Sequence, residues 1–222
     1  MTFLTDDFLK FFQDLEKNNN KEWFDANRIR YKNSVKEPFY AFIDHMIGLI
    51  NERDPDVQIT AKDAVMRINR DIRFSPDKTP YNVHYGAIIS SAGRKDKSIP
   101  GFFIRFSPQY IGLFGGAHGI DKDQLQRIRT AIAGDIEVFQ GLINAENFKT
   151  KFGRIRGEQH KRIPVEFREA HQKEPLIANK QFYYMSELDP KIITNPQLPD
   201  VLMEYWEAAN PVREYLSKAL NT

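Results

Sequence analysis

The apolar residues of this 222-residue chain change their period twice, and this limits the architecture more than any other property of the sequence. Phe8, Phe11, Phe12 and Leu15 recur at helical spacing, as do Phe39, Phe42, Ile43, Met46, Ile47 and Ile50. From Ala64 to Phe74 the pattern alternates. Val65, Arg67, Asn69, Asp71 and Arg73 fall on one side of an extended chain; Met66, Ile68, Ile72 and Phe74 fall on the other, with Arg70 interrupting the apolar face. Helical spacing returns after Gly119, with Leu125, Ile128 and Ile132, a second run near Ile136 to Ile143, and a last one from Pro199 to Leu220.

Thr5, Asp6 and Asp7 have the character of a helix N-terminus, and Asn18 to Asn20 interrupt before a second helix bearing Trp23, Phe24, Asn27 and Tyr31. Asn19 and Asn20 are expected to cap it, with Trp23 and Phe24 as core anchors. Pro38 belongs in the first turn of a third helix or kinks a continuous one. Val57 to Ile59, Tyr85 to Ser91, Gly101 to Phe106 and Tyr110 to Phe114 are candidate strands, and Phe182 to Met185 a candidate edge strand. Their connections, SSAGRKDKSIPG and SPQ among them, are too short for parallel crossovers, so neighbouring strands pair antiparallel. The fold class expected is α+β, an antiparallel meander packed against N-terminal and C-terminal helices, in one domain spanning 1–222. Pro211 is expected to break the last helix or to start its final piece.

Composition narrows the chemistry. Apolar residues make up 41% and charged residues 28%, a balance that suits a globular core. There is no cysteine, which removes thiolate nucleophiles, disulfides and Cys-ligated metals. His45, His84, His118, His160 and His171 are isolated, with no HExxH or His-x-His spacing, so no metal and no cofactor are expected. A G-x-S-x-G elbow is absent. The acidic N-terminus lacks signal-peptide character and no apolar run reaches a membrane span, so a cytoplasmic protein without membrane contact is expected.

Charge is uneven. Residues 1–60 hold 8 Lys/Arg against 11 Asp/Glu, whereas 149–173 hold 8 against 3. That basic, irregular stretch offers a surface to nucleic acid or an acidic protein, or is simply solvated.

The candidate site is the polar run from Arg67 to Gly86. Pro76 and Pro80 impose a turn after the alternating segment, which brings Lys78, Tyr81 and His84 back beside it. Arg67, Arg73, Lys78, Tyr81 and His84 then form a candidate pocket for a small anion bearing phosphate or carboxylate. Asp71 and His84 are the candidate general bases if the protein is an enzyme acting on that ligand. The competing reading is a closed Arg–Asp network that only fixes the turn. Gly115, Gly116, Ala117, His118 and Gly119 lie between a strand and a helix; with Asp121 and Asp123 where an anion would sit, a tight turn with a carboxylate cap is the expectation.

Three segments, NNKEWF near the start, RDIRFSPDKTPY in the middle, and GGAHGI ahead of a Leu-x-x-Ile-Arg helix, resemble domain-of-unknown-function family 2461, a set of conserved hypothetical microbial proteins. The resemblance runs over about residues 3–217 and implies that these segments share one domain. It carries no catalytic residue. Arg70, Asp71, Arg73, Phe74, Ser75, Asp77, Lys78, Pro80 and Tyr81 match its central pattern, and Pro76 stands where the family more often places lysine.

Overall fold

The computed structural model describes residues 2–95 and 99–221. The chain is α+β, with four strands, β1 (Tyr85–Ile89), β2 (Phe102–Phe106), β3 (Ile111–Ala117) and β4 (Phe182–Leu188), in one antiparallel meander of order β1-β2-β3-β4. Part of the SSAGRKDKSIPG connection, Asp96 to Ser98, lies outside the described residues. Two compact units divide the chain. The first comprises Met1–Lys95, Phe103–Leu113 and Glu187–Met203; the second comprises Asp96–Phe102, Phe114–Ser186 and Glu204–Thr222.

The first unit is built on aromatic packing. Helix α1 (Asp6–Lys17) buries Phe8, Phe11, Phe12 and Leu15. After α2 (Lys21–Ala26) the chain turns through α3 (Arg28–Arg30), a six-residue π-helical segment (Tyr31–Lys36) and α4 (Glu37–Asn51), with Pro38 in the first turn of α4. Every residue of the Phe39 to Ile50 apolar stripe is buried. On β2, Phe106 meets Phe8 at 6.0 Å, Phe39 at 5.6 Å and Phe42 at 5.4 Å between ring centroids. Such rings contribute mainly by removing their area from water.

Asn20 caps α2, accepting from the Trp23 N–H at 2.9 Å. Asn19 does something else. Its Nδ2 donates to the Tyr81 carbonyl at 2.8 Å, and its Oδ1 accepts from the Tyr81 N–H at 3.1 Å. The side-chain amide thus pairs with both backbone groups of one residue, as a neighbouring strand would. We expect Asn19→Ala to cost about 1.5 kcal/mol, because two backbone groups of the buried Tyr81 lose their partners. Asn19→Asp should cost a similar amount despite its equal size, since it cannot donate to the carbonyl. Urea unfolding of both variants measures this.

Several sequence expectations change in this unit. Val57 to Ile59 forms no strand; Val57 is buried and its carbonyl accepts from Asn51. The alternating segment from Ala64 to Phe74 is not a regular strand either. A short helix α5 (Ala61–Ala64) runs into isolated antiparallel bridges, Val65 to Ala87 and Asn69 to Tyr81. Val65 and Ile68 are both buried, and Phe74 is 94% exposed instead of lying on the apolar side. The reason is Arg70, whose backbone pairs with Pro80 while its side chain turns into the following loop, ending the extended geometry there.

In the second unit, α6 (Lys122–Gly134) is capped by Asp121 through a reciprocal bond with Gln124, and Asp135 caps α7 (Ile136–Asn144). The 149–175 stretch is more ordered than its composition suggests. It takes in the end of α8 (Glu146–Phe152), bridges at Arg156 and Gln159, and α9 (Arg168–Lys173). Phe148 and Phe152 pack on the fully buried Tyr184 ring at 5.3 and 4.9 Å. Gly115 to Ala117, expected in a turn, belong instead to β3. Helix α10 (Leu198–Asn221) continues through Pro211, which forgoes one backbone bond while apolar side chains on both sides of it, Trp206 and Val212 among them, stay buried. Among the described residues, no helix is long and apolar enough to cross a membrane.

Candidate anion-binding cleft

The run from Arg67 to Gly86 separates into two parts. Between Arg70 and Thr79 it is a closed turn. Arg70 Nη1 donates to Asp77 Oδ2 at 2.5 Å, to the Thr79 hydroxyl, and to the Thr79 carbonyl at 3.2 Å. Asp77 Oδ1 accepts from the Thr79 N–H at 2.9 Å. That N–H and the Arg70 guanidinium hold the Asp77 carboxyl down at about 2. Arg73 forks onto Asp71, with Nε and Nη2 donating at 2.9 and 2.7 Å, which lowers the Asp71 pKa. Lys78 Nζ donates to the Ile72 carbonyl at 2.9 Å. Arg73, Lys78 and Asp71 therefore find partners within the turn and do not line the cleft that Arg67 lines.

Tyr81 is buried and stacks on Phe24 at 4.1 Å between centroids. His84 is half-buried, and its Nδ1 accepts from Arg105 Nη2 at 3.2 Å, so the ring proton sits on Nε2. Burial, assisted by the Arg105 charge, lowers its pKa from 6.5 to about 4. Arg67 stands apart from the other four predicted pocket residues. It makes no hydrogen bond or ion pair through its side chain among the described residues, and it lines an open cleft of about 420 Å³ in the first unit.

Five cations line that cleft: Arg28, Lys32 and Lys36 on one wall, Arg67 and Arg94 on the other. Among the described residues, no carboxylate lines it. Three tyrosines, Tyr31, Tyr40 and Tyr85, add hydroxyl groups. The Tyr31 and Tyr85 hydroxyls lie 3.1 Å apart. Burial pushes Tyr31 up to about 12 and Tyr85 higher still, so both phenols stay protonated and able to donate.

The π-helical segment explains why the first wall carries its cations in line. Residues four apart on an α-helix advance about 40° past a full turn, so a stripe at that spacing winds away from any one face. A π segment holds more residues per turn and winds it back. Arg28, Lys32, Lys36 and Tyr40 thereby all reach the cleft, while Tyr31 and Val35 between them are buried. Arg30 anchors the wall from behind, bonding Asp7 at 2.6 Å and Asp14 at 2.8 Å on α1.

The cleft cations have weak competitors. Arg28 meets Asp25 at 2.5 Å and Lys32 meets Glu37 at 3.3 Å, but all four side chains are more than 40% exposed, and such pairs contribute little. Arg94 is fixed by the Lys62 carbonyl and by the Val65 carbonyl at 2.8 Å, neither of which neutralises it.

Sequence reasoning found Arg67 and missed the rest of this cleft. Arg28, Lys32 and Lys36 look like an ordinary solvated helix face beside an apolar stripe. Their strict four-residue spacing, continued to Tyr40, is the one signal that pointed to a shared face. In the second unit the exposed Lys161, Arg162 and Arg168, with His171, line another open depression of about 430 Å³ that contains no aromatic ring apart from the imidazole.

A family model described as conserved hypothetical protein (DUF2461) matches residues 7–215, and the chain belongs to that family. No curated protein and no solved structure matches it.

Proposed function

We propose that this member of the family binds a small anionic, phosphate- or carboxylate-bearing ligand in the cleft between the Arg28–Tyr40 helical wall and the Val65–Asn69 segment. The observation that carries the reading is that, among the described residues, five cations and no carboxylate line the cleft. Oriented guanidinium and ammonium donors beside protonated phenols suit oxyanions, and a volume of a few hundred Å³ suits a metabolite. The ligand position is thus moved from the Arg73, Lys78, Tyr81 and His84 side of the turn to the side where Arg67 points.

The reading is one of binding. Asp71 is held by Arg73, and His84 is turned to Arg105; neither lines the cleft, so neither is assigned general-base work on a ligand bound there. The nucleic-acid alternative rests on the basic surface of the second unit, which lacks the aromatic platform on which single-stranded bases stack.

Thermal unfolding in the presence of inorganic phosphate and a panel of phosphorylated metabolites tests the proposal. A ligand at about 100 times its Kd stabilises the folded form by about 2.7 kcal/mol, which is readily seen as a rise in Tm. Arg67→Glu, at an exposed position, should abolish the rise while leaving the unliganded Tm nearly unchanged. The proposal fails if no anion shifts the transition, or if Arg67→Glu leaves the shift intact.

A further inference from the structure

The two walls of the cleft run in opposite directions, and this orders its charges. Phe24, at the start of the helical wall, stacks on Tyr81, and Tyr81 pairs with Asn69, the last residue of the extended wall. At the other end Phe39, beside Tyr40, packs on Tyr85 at 4.7 Å between ring centroids, and the adjoining Gly86 carbonyl accepts from the Met66 N–H at 2.9 Å, beside Val65. Arg28 therefore lies at one end of the cleft and Lys36 at the other, where Arg94 is tied to Val65; Lys32 and Arg67 lie between.

Two rulers bound its length. Arg28 to Lys36 along the helical wall spans at most about 12 Å, because the π-helical residues rise less than α-helical ones. Val65 to Asn69 on the other wall spans at most about 13 Å, because the chain bends at Ile68. The cations are thus spread in steps of about 6 Å along an elongated groove instead of converging on one point. A single phosphate meets only part of this set. The tyrosine hydroxyls between the ends present groups that both donate to and accept from alcohols.

We propose that the ligand is an elongated, hydroxyl-bearing molecule with an anionic group at each end, of the class of a sugar bisphosphate. Arg28 serves one end, Lys36 and Arg94 the other, and Arg67 and Lys32 flank the body. This rests on the anion-binding reading and adds the spacing of the charges to it. Engaging the second end after the first is an intramolecular step, so two separated anions gain far more than one.

Calorimetric titration with three probes tests it: fructose 1,6-bisphosphate, fructose 6-phosphate, and pyrophosphate as a compact dianionic-to-trianionic control. The bisphosphate is expected to bind at least about tenfold more tightly than either of the others. Arg28→Ala and Lys36→Ala, both at exposed positions, should each bring its affinity within about threefold of the monophosphate's. The inference is overturned if pyrophosphate matches the bisphosphate, or if the advantage survives both substitutions with unfolding curves unchanged. If the compact anions bind and the bisphosphate gains nothing, only the spacing argument falls. If none of the three binds, the anion-binding reading falls with it.

Discussion

Gly116→Ala is expected to destabilise the protein by about 3 kcal/mol or more, the largest effect of any single-methyl change argued from this structure. Gly116 has φ +98°, in the left-handed region that a side chain disfavours. More importantly, a Cβ there would sit 2.3 Å from the Phe182 carbonyl oxygen and 2.8 Å from the Tyr183 Cα. Both obstacles are backbone, in β4, so no rotamer change relieves them. Separating β3 from β4 would unseat Tyr184, whose ring also occupies the space in which a Cβ on Gly115 would lie, at 2.6 Å. Gly119→Ala separates the two causes. It has φ +69° but open space around the missing Cβ, so it should show only the conformational penalty of about 1 kcal/mol. Urea midpoints of the two variants decide the matter: equal losses would mean that the close approach of β3 and β4 contributes nothing.

The same glycines show how far the sequence could be read. Gly115 and Gly116 look like loop residues, because glycine is favoured in turns. Their actual role depends on a strand sixty-six residues later, which no local pattern reveals. The helical stripes of α1 and α4 and the order of β1, β2 and β3 were legible, since each follows from local periodicity and short connections. Asp121 as a cap was equally local. The alternating segment misled for a definite reason: alternation predicts a strand only while the backbone stays extended, and Arg70 bends it into the Asp77 turn.

The site was legible in proportion to how local it was. Arg67 stood in a distinctive run, which the sequence left open between a ligand site and an ion-pair network. From Arg70 to Thr79 the polar groups satisfy one another; Arg67 points elsewhere. Its companions come from a helix some thirty residues earlier and from Arg94, and the π-helical segment that aligns them has no dependable sequence signature. The cleft on which the proposed function rests is lined by Arg67 together with Arg28, Lys32, Lys36 and Arg94, and not by Arg73, Lys78, Tyr81 or His84.

His84, which does not line the cleft, should govern stability in mild acid. Its ring is half-buried, its Nδ1 is occupied by an Arg105 N–H, and Arg105 brings a positive charge with no carboxylate among its bonds. Protonation would break that bond and set two cations together. With the folded pKa lowered to about 4 from 6.5, the unfolded chain takes up a proton that the folded one refuses as pH falls below 6.5. Stability is therefore full above about 6.5, declines through the window down to about 4, and loses nothing further from this group below it. The total loss is about 2–3 kcal/mol after discounting for the ring's partial exposure. Asp71 and Asp77 are lowered carboxylates; their contribution is present above their ordinary 3.8 and disappears only at still lower pH, so the two windows do not overlap. Urea unfolding between pH 7.5 and about 4 should show a clearly shallower slope in His84→Gln, whose amide keeps an acceptor for Arg105 and cannot be protonated in this range; the remainder includes His160, which burial and the Arg129 and Lys180 charges also lower. An unchanged slope in that variant would place the titrating group elsewhere and leave His84 as packing alone.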